Sequence, residues 1–172
     1  MRKPTGALTM AYRKNNGFTL IELMVTLAIA TVVLGIGVPS MANLIRDARI
    51  SSQSDLLVST LNRARTEALR QRRDFRVCPA TTPTSATACE ANLQTWATGW
   101  ITVGNSAVSQ RIEAKPGVTV TAAFDDVTFR GTLGSATQTR TFTLCVSGRK
   151  EQLVEVNLSG NVSKRIGTTV CA

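Results

Sequence analysis

The stretch KNNGFTLIELMVTLAIATVVLGIGV, residues 14–38, decides what kind of chain this is. From Phe18 to Val38 it holds 21 residues and a single charge, Glu22. As a helix rising about 1.5 Å per residue it covers about 30 Å, the thickness of a bilayer's hydrocarbon core. Upstream, Arg2, Lys3, Arg13 and Lys14 stand without an acid among them. Cations on the N-terminal flank hold that end on the cytoplasmic side, so everything after the apolar segment is expected to be exported. An ordinary secretory signal peptide is the alternative, because Ser40-Met41-Ala42 offers a small-x-small cleavage site.

Glu22 separates the two readings. A carboxylate in an apolar helix costs on the order of a few kcal/mol in a membrane unless it finds a partner. Cleavage after Gly17 would create one, since the new amino group on Phe18 lies about one helical turn from Glu22. Between neighbouring subunits shifted along the axis, the two opposite charges would meet and set the register. Farther on, Gly35, Gly37 and Pro39 together weaken the helix, and a kink or unwound stretch is expected at Pro39.

Composition agrees with export of one domain. The chain has 172 residues and 43% apolar content, enough for a single core and one appended element. Its 20 Lys and Arg less the four of the leader leave 16 against 11 Asp and Glu, so much of the basicity belongs to the leader. There is no histidine, the commonest general base and metal ligand. Neither a catalytic constellation nor a cofactor or metal site can be assembled from what remains, and no enzyme is expected. Cys78, Cys89, Cys145 and Cys171 contain no close C-x-x-C pair, which favours two disulfides over a zinc or redox site. Three pairings are open. Cys78 with Cys89 and Cys145 with Cys171 is favoured, because each closes a modest segment.

Residues 14–22, Lys-Asn-Asn-Gly-Phe-Thr-Leu-Ile-Glu, resemble the type III signal of type IV prepilins and type II secretion pseudopilins. The resemblance implies cleavage after Gly17 by a prepilin peptidase, N-methylation of Phe18, and a single-pass stay in the inner membrane. The subunit would then pass into an extracellular or periplasmic filament. Pro39 matches the helix proline of these families.

Beyond Pro39, Ile50, Leu57, Leu61, Ala64 and Ala68 recur at spacings of 7, 4, 3 and 4, one stripe of an amphipathic helix. The expected organisation is a leader at 1–17, a transmembrane or filament-core half-helix at 18–39, an amphipathic half-helix at 40–76 and a β-rich domain at 77–172. Arginines at 63, 65, 70, 72, 73 and 76 crowd this helix. Glu67 and Asp74 stand at helical spacing from several of them, which points to a solvated or subunit-facing surface. After Arg76 the runs 118–124, 140–146 and 152–158 alternate as strands of a small antiparallel domain. Residues 80–92 read as a disulfide-closed loop and Ser159-Gly160-Asn161 as a hairpin turn. The fold class is therefore α+β, a long N-terminal helix packed on a small, sandwich-like antiparallel sheet domain.

Within that outline, Arg63-Ala64-Arg65-x-Glu67-Ala68, Trp96-x-x-Gly99-Trp100, Phe129 with Gly131, Thr141-Phe142-x-Leu144-Cys145 and Ser159-Gly160 resemble the FimT, FimU and GspH group. This implies a minor pilin or minor pseudopilin, a low-copy subunit that primes assembly near a filament tip. Its partners would be other minor and major pilins or pseudopilins. Some FimT-like members bind DNA through a Gly-Arg-x-Arg motif. The present chain departs from it, offering Lys164 and Arg165 after one turn and Arg149 and Lys150 after another as candidates for non-specific phosphate contact.

Overall fold

The computed structural model describes residues 17–90 and 96–172, so the leader before Gly17 and the end of the 80–92 loop lie outside the described residues. The chain divides into two compact units, Met1–Met41 and Ala42–Ala172.

One helix, α1 (Leu20–Gln71), contributes to both units. It begins with a cap that the apolar pattern did not announce. Thr19 precedes the first turn, and the Glu22 N–H donates to Thr19 Oγ1 at 3.3 Å. This satisfies one of the orphan donors of a helix start, while the Glu22 carboxylate sits where the helix dipole favours an anion. In the first unit every side chain described from Phe18 to Val38 is exposed. Helical geometry continues through position 39, so the expected unwinding at Pro39 is absent. Proline removes only its own N–H from the ladder, and the bonds on either side keep the turn.

In the second unit the helix turns one face inward. Ile50, Leu57, Leu61, Ala64 and Ala68 are all buried, and the polar Gln53, Ser54 and Thr60 are buried with them. Thr60 returns its hydroxyl to Leu56 O, and Ser54 Oγ lies within hydrogen-bonding distance of both Ile50 O and Gln152 Oε1, its one proton going to either, so two of these polar groups are satisfied within the core.

The helix stops at Gln71, five residues before the expected boundary at 76. Arg72 takes a left-handed φ of 52°, and the Arg73 N–H reaches back to Ala68 O at 3.2 Å. This six-to-one bond is a Schellman stop, normally built on glycine. Asp74 consequently faces no helical arginine; its Oδ1 accepts the Gly131 N–H at 3.0 Å. Gly131 has no alternative there, since a Cβ would lie 2.2 Å from the Arg73 nitrogen.

Among the described residues eight strands form two four-stranded antiparallel sheets. In the first, β1 (Phe75–Pro79), β2 (Gly99–Gly104), β3 (Ala107–Glu113) and β5 (Val127–Phe129) lie in the order β3-β2-β1-β5. In the second, β4 (Thr119–Thr121), β6 (Arg140–Cys145), β7 (Lys150–Val156) and β8 (Val162–Val170) lie in the order β4-β6-β7-β8. The run 118–124 thus supplies only a three-residue strand, and Trp96 precedes β2 in a turn rather than opening it.

Both sheets share one core with the helix. Phe75, Val77, Trp100 and Phe129 come from the first sheet, Val120, Phe142, Leu144, Val154 and Val156 from the second. At its centre Trp96, Phe124 and Phe142 meet edge to face, with centroids 4.8 to 5.8 Å apart, and Trp96 Nε1 donates to Phe124 O at 2.8 Å. Asp126 clasps the two sheets, accepting from Arg76 of β1 at 2.8 Å and facing Arg140 of β6 at 3.9 Å. On the opposite face of the first sheet, Cys78, Ala80, Ala86 and Ile101 make a smaller cluster. Cys78 is bonded to Cys89 and Cys145 to Cys171.

Candidate assembly and anchoring site

Gly17 and Phe18 lie just ahead of the helix, both exposed, and a Cβ at Gly17 would meet nothing within 4 Å. A chain without local packing at this junction is open to a peptidase. Four residues on, Glu22 stands on an exposed helix surface among Leu20, Ile21, Leu23 and Met24, themselves at least half exposed. No cation within the described residues pairs with it. Apolar exposure continues to Leu44 and Ile45. α1 is the one described helix long and apolar enough to cross a membrane. So large an uncovered apolar surface requires lipid or another subunit against it.

The four cations singled out for phosphate contact do not converge. Lys164 and Arg165 are neighbours in β8, so they project to opposite faces of the sheet. Lys164 reaches across to Asp55 on α1, and Arg165 pairs with Glu155 of β7 at 2.7 Å. Glu155 raises the Arg165 pKa above its ordinary value through the hydrogen bond and its charge. Arg149, in the β6–β7 turn, makes a two-pronged pair with Asp47. Lys150 alone of the four has no ion pair among the described residues. Lys164 and Arg149 therefore act as braces between the second sheet and the helix, with a groove of about 450 Å³ between Asp47, Ile50, Lys150 and Ile166.

Of the crowded arginines, Arg70 pairs with Glu67 at 2.7 Å as the spacing suggested. Arg76, expected on the helix, belongs to β1. Arg65 Nη2 donates to Ser159 O at 3.2 Å and ties the helix to the β7–β8 hairpin. Among the described residues no group of three or more His, Cys, Asp or Glu side chains is placed to hold a metal.

An exposed amino-terminal junction, an uncovered apolar helix and a cystine-braced two-sheet domain can now be set beside known proteins. The family described as "Type II transport protein GspH" matches residues 53–160. This chain belongs to the GspH family. The prokaryotic N-terminal methylation motif matches residues 12–38, which include the Gly17–Phe18 junction and Glu22. The GspH-family domain also resembles two crystal structures of the type IV minor pilin FimU from Pseudomonas aeruginosa strain PAO1. In one the TM-score is 0.53 at 17% identity, covering 69% of this chain and 90% of that one. In the other it is 0.51 at 18%, covering 67% and 91%. At such identity the likeness shows the fold alone. No curated protein matches in sequence. The family is one of minor pilins and pseudopilins, structural proteins rather than enzymes.

Proposed function

We propose that this GspH-family chain is a minor pilin that helps prime a type IV pilus and sits near its tip. The observation that carries the reading is the apolar first half of α1, whose described side chains from Leu20 to Ile45 are exposed and whose Glu22 has no ion pair among the described residues. Such a surface is suited to a membrane first and to a bundle of like helices afterwards. Cleavage after Gly17 by a prepilin peptidase would free the Phe18 amino group, and methylation would leave its positive charge to pair with Glu22 of a neighbour. Partners on this reading are other minor and major pilins. The family's association with type II transport favours a second reading, a minor pseudopilin of type II secretion. Deletion of the gene separates them. Loss of surface pili with exoprotein secretion intact is the expected result; intact pili with exoproteins retained in the periplasm would assign the chain to secretion instead.

A further inference from the structure

The second unit carries a collar of cations at the near end of its helical stretch, of which Arg149 alone is taken up by an ion-pair brace and none by the assembly reading. Arg46 follows directly on Ile45, the last exposed large apolar residue before the helix turns its stripe inward. A Cβ at Gly148 would lie 3.6 Å from Arg46 Nη1, so Arg46 stands beside the β6–β7 turn that carries Arg149 and Lys150. Across the helix, a Cβ at Gly117 would lie 3.7 Å from Arg49 Nη1, and Arg49 lines a groove with Lys115 and Pro116. Lys115 Nζ donates to Ser52 Oγ at 2.7 Å. Five cations thus gather around helix residues 46–52, a rise of about 9 Å. Arg46, Arg49, Lys115 and Lys150 are exposed. Asp47 is the carboxylate within the ring, already held by Arg149. Against Asp47 the five cations leave an excess of four positive charges.

The geometry points to a binding site for anionic phospholipid headgroups at the exported surface of the membrane, formed by Arg46, Arg49, Lys115 and Lys150. The inference rests on the membrane-anchored reading of the apolar helix. Covalent continuity argues for lipid over other polyanions, because Arg46 is joined to the apolar segment and stays near the interface for as long as that segment is in the membrane. Cations at such a surface gain attraction to anionic lipid, about a fivefold change in local occupancy each, and the gain falls with salt. A sixth cation, Lys164, reaches the same stretch through Ser51 Oγ at 3.5 Å, but Asp55 holds it and balances its charge, so it adds nothing to the excess.

The test is amine labelling of the full chain in vesicles, read by mass spectrometry. One set is phosphatidylcholine alone; the other is equal parts phosphatidylcholine and phosphatidylglycerol. Labelling of Lys115 and Lys150, relative to a lysine peptide without membrane affinity added to the same vesicles, should slow about fivefold in the anionic vesicles. High salt, or Arg46→Gln with Arg49→Gln, should remove that protection, whereas Arg46→Lys with Arg49→Lys should retain it. Equal labelling in both vesicles, with the chain floating in each, overturns the collar and leaves the anchor standing. Failure to float with either overturns the anchor and the collar together. Protection by duplex DNA but not by phosphatidylglycerol overturns the lipid assignment in favour of a nucleic-acid surface.

Discussion

The two halves of α1 differ in what lies against them, although both are helix and both carry regularly placed apolar residues. From Phe18 to Ile45 the described side chains are exposed, and among the described residues nothing covers the large apolar ones. From Ile50 to Ala68 a single stripe is buried to within 1% of zero exposure by two sheets of the same chain. The first half therefore depends on surroundings supplied from outside, and the second half carries its own. Substitutions in the first should change assembly without touching the domain's stability, while substitutions in the second should do the reverse.

The largest effect expected is that of Glu22→Ala. Incorporation into filaments should fall to background, with thermal unfolding of the domain unchanged within about 0.5 kcal/mol. A wild-type filament content in that variant, measured by immunoblot of sheared surface fractions, would break the comparison. Trp96→Ala should behave oppositely, since it empties the centre of an aromatic trio and removes the bond to Phe124 O. A loss of about 3–5 kcal/mol is expected in urea unfolding, with membrane flotation unaltered.

Replacing Cys145 and Cys171 together by serine should cost about 3 kcal/mol by releasing a 26-residue separation, and Cys78 with Cys89 somewhat less for its 11. Equal losses for the two pairs would show that local packing, not loop closure, sets their worth. Acid should have the mildest effect. Thr81 lowers the Glu90 pKa through its hydroxyl and N–H, and Arg70 and Gln71 lower that of Glu67 through their hydrogen bonds. Both folded values lie below the ordinary 4.5, so their contribution is present above that pH and is lost as pH falls through the lowered values. A pH series of melting temperatures checks this. Glu90→Gln should lower the neutral plateau slightly and flatten the acid limb, leaving the most acid end unchanged.

What could be read in advance follows the same division. A long apolar run and a 3.6-residue stripe are local signals, and Ile50, Leu57, Leu61, Ala64 and Ala68 are all buried as their spacing implies. The disulfide pairing in the structure coincides with the one that closes the shorter segments. The helix end was illegible because its left-handed stop uses Arg72 where glycine would have marked it. Three-residue strands such as β4 and β5 carry too few alternations to declare themselves. Nearness in sequence misled for Lys164 and Arg165, because adjacent strand residues face apart and their carboxylate partners come from α1 and β7. Thr19 and Glu22 did carry a readable sign, the Thr-x-x-Glu spacing of a helix start.

The bond between Cys145 and Cys171 has a consequence in time as well as in space. β8 completes the second sheet, Cys171 lies just beyond it, and the Gly148 N–H donates to Cys171 O at 3.0 Å. Until residues 162–170 have crossed the membrane, β7 has no complete outer strand beside it and the sheet stands open. A subunit halted partway through export would thus display an unfinished edge, whereas one that has passed completely can close. Completion of the fold itself would then distinguish finished subunits from stalled ones before either could join a filament.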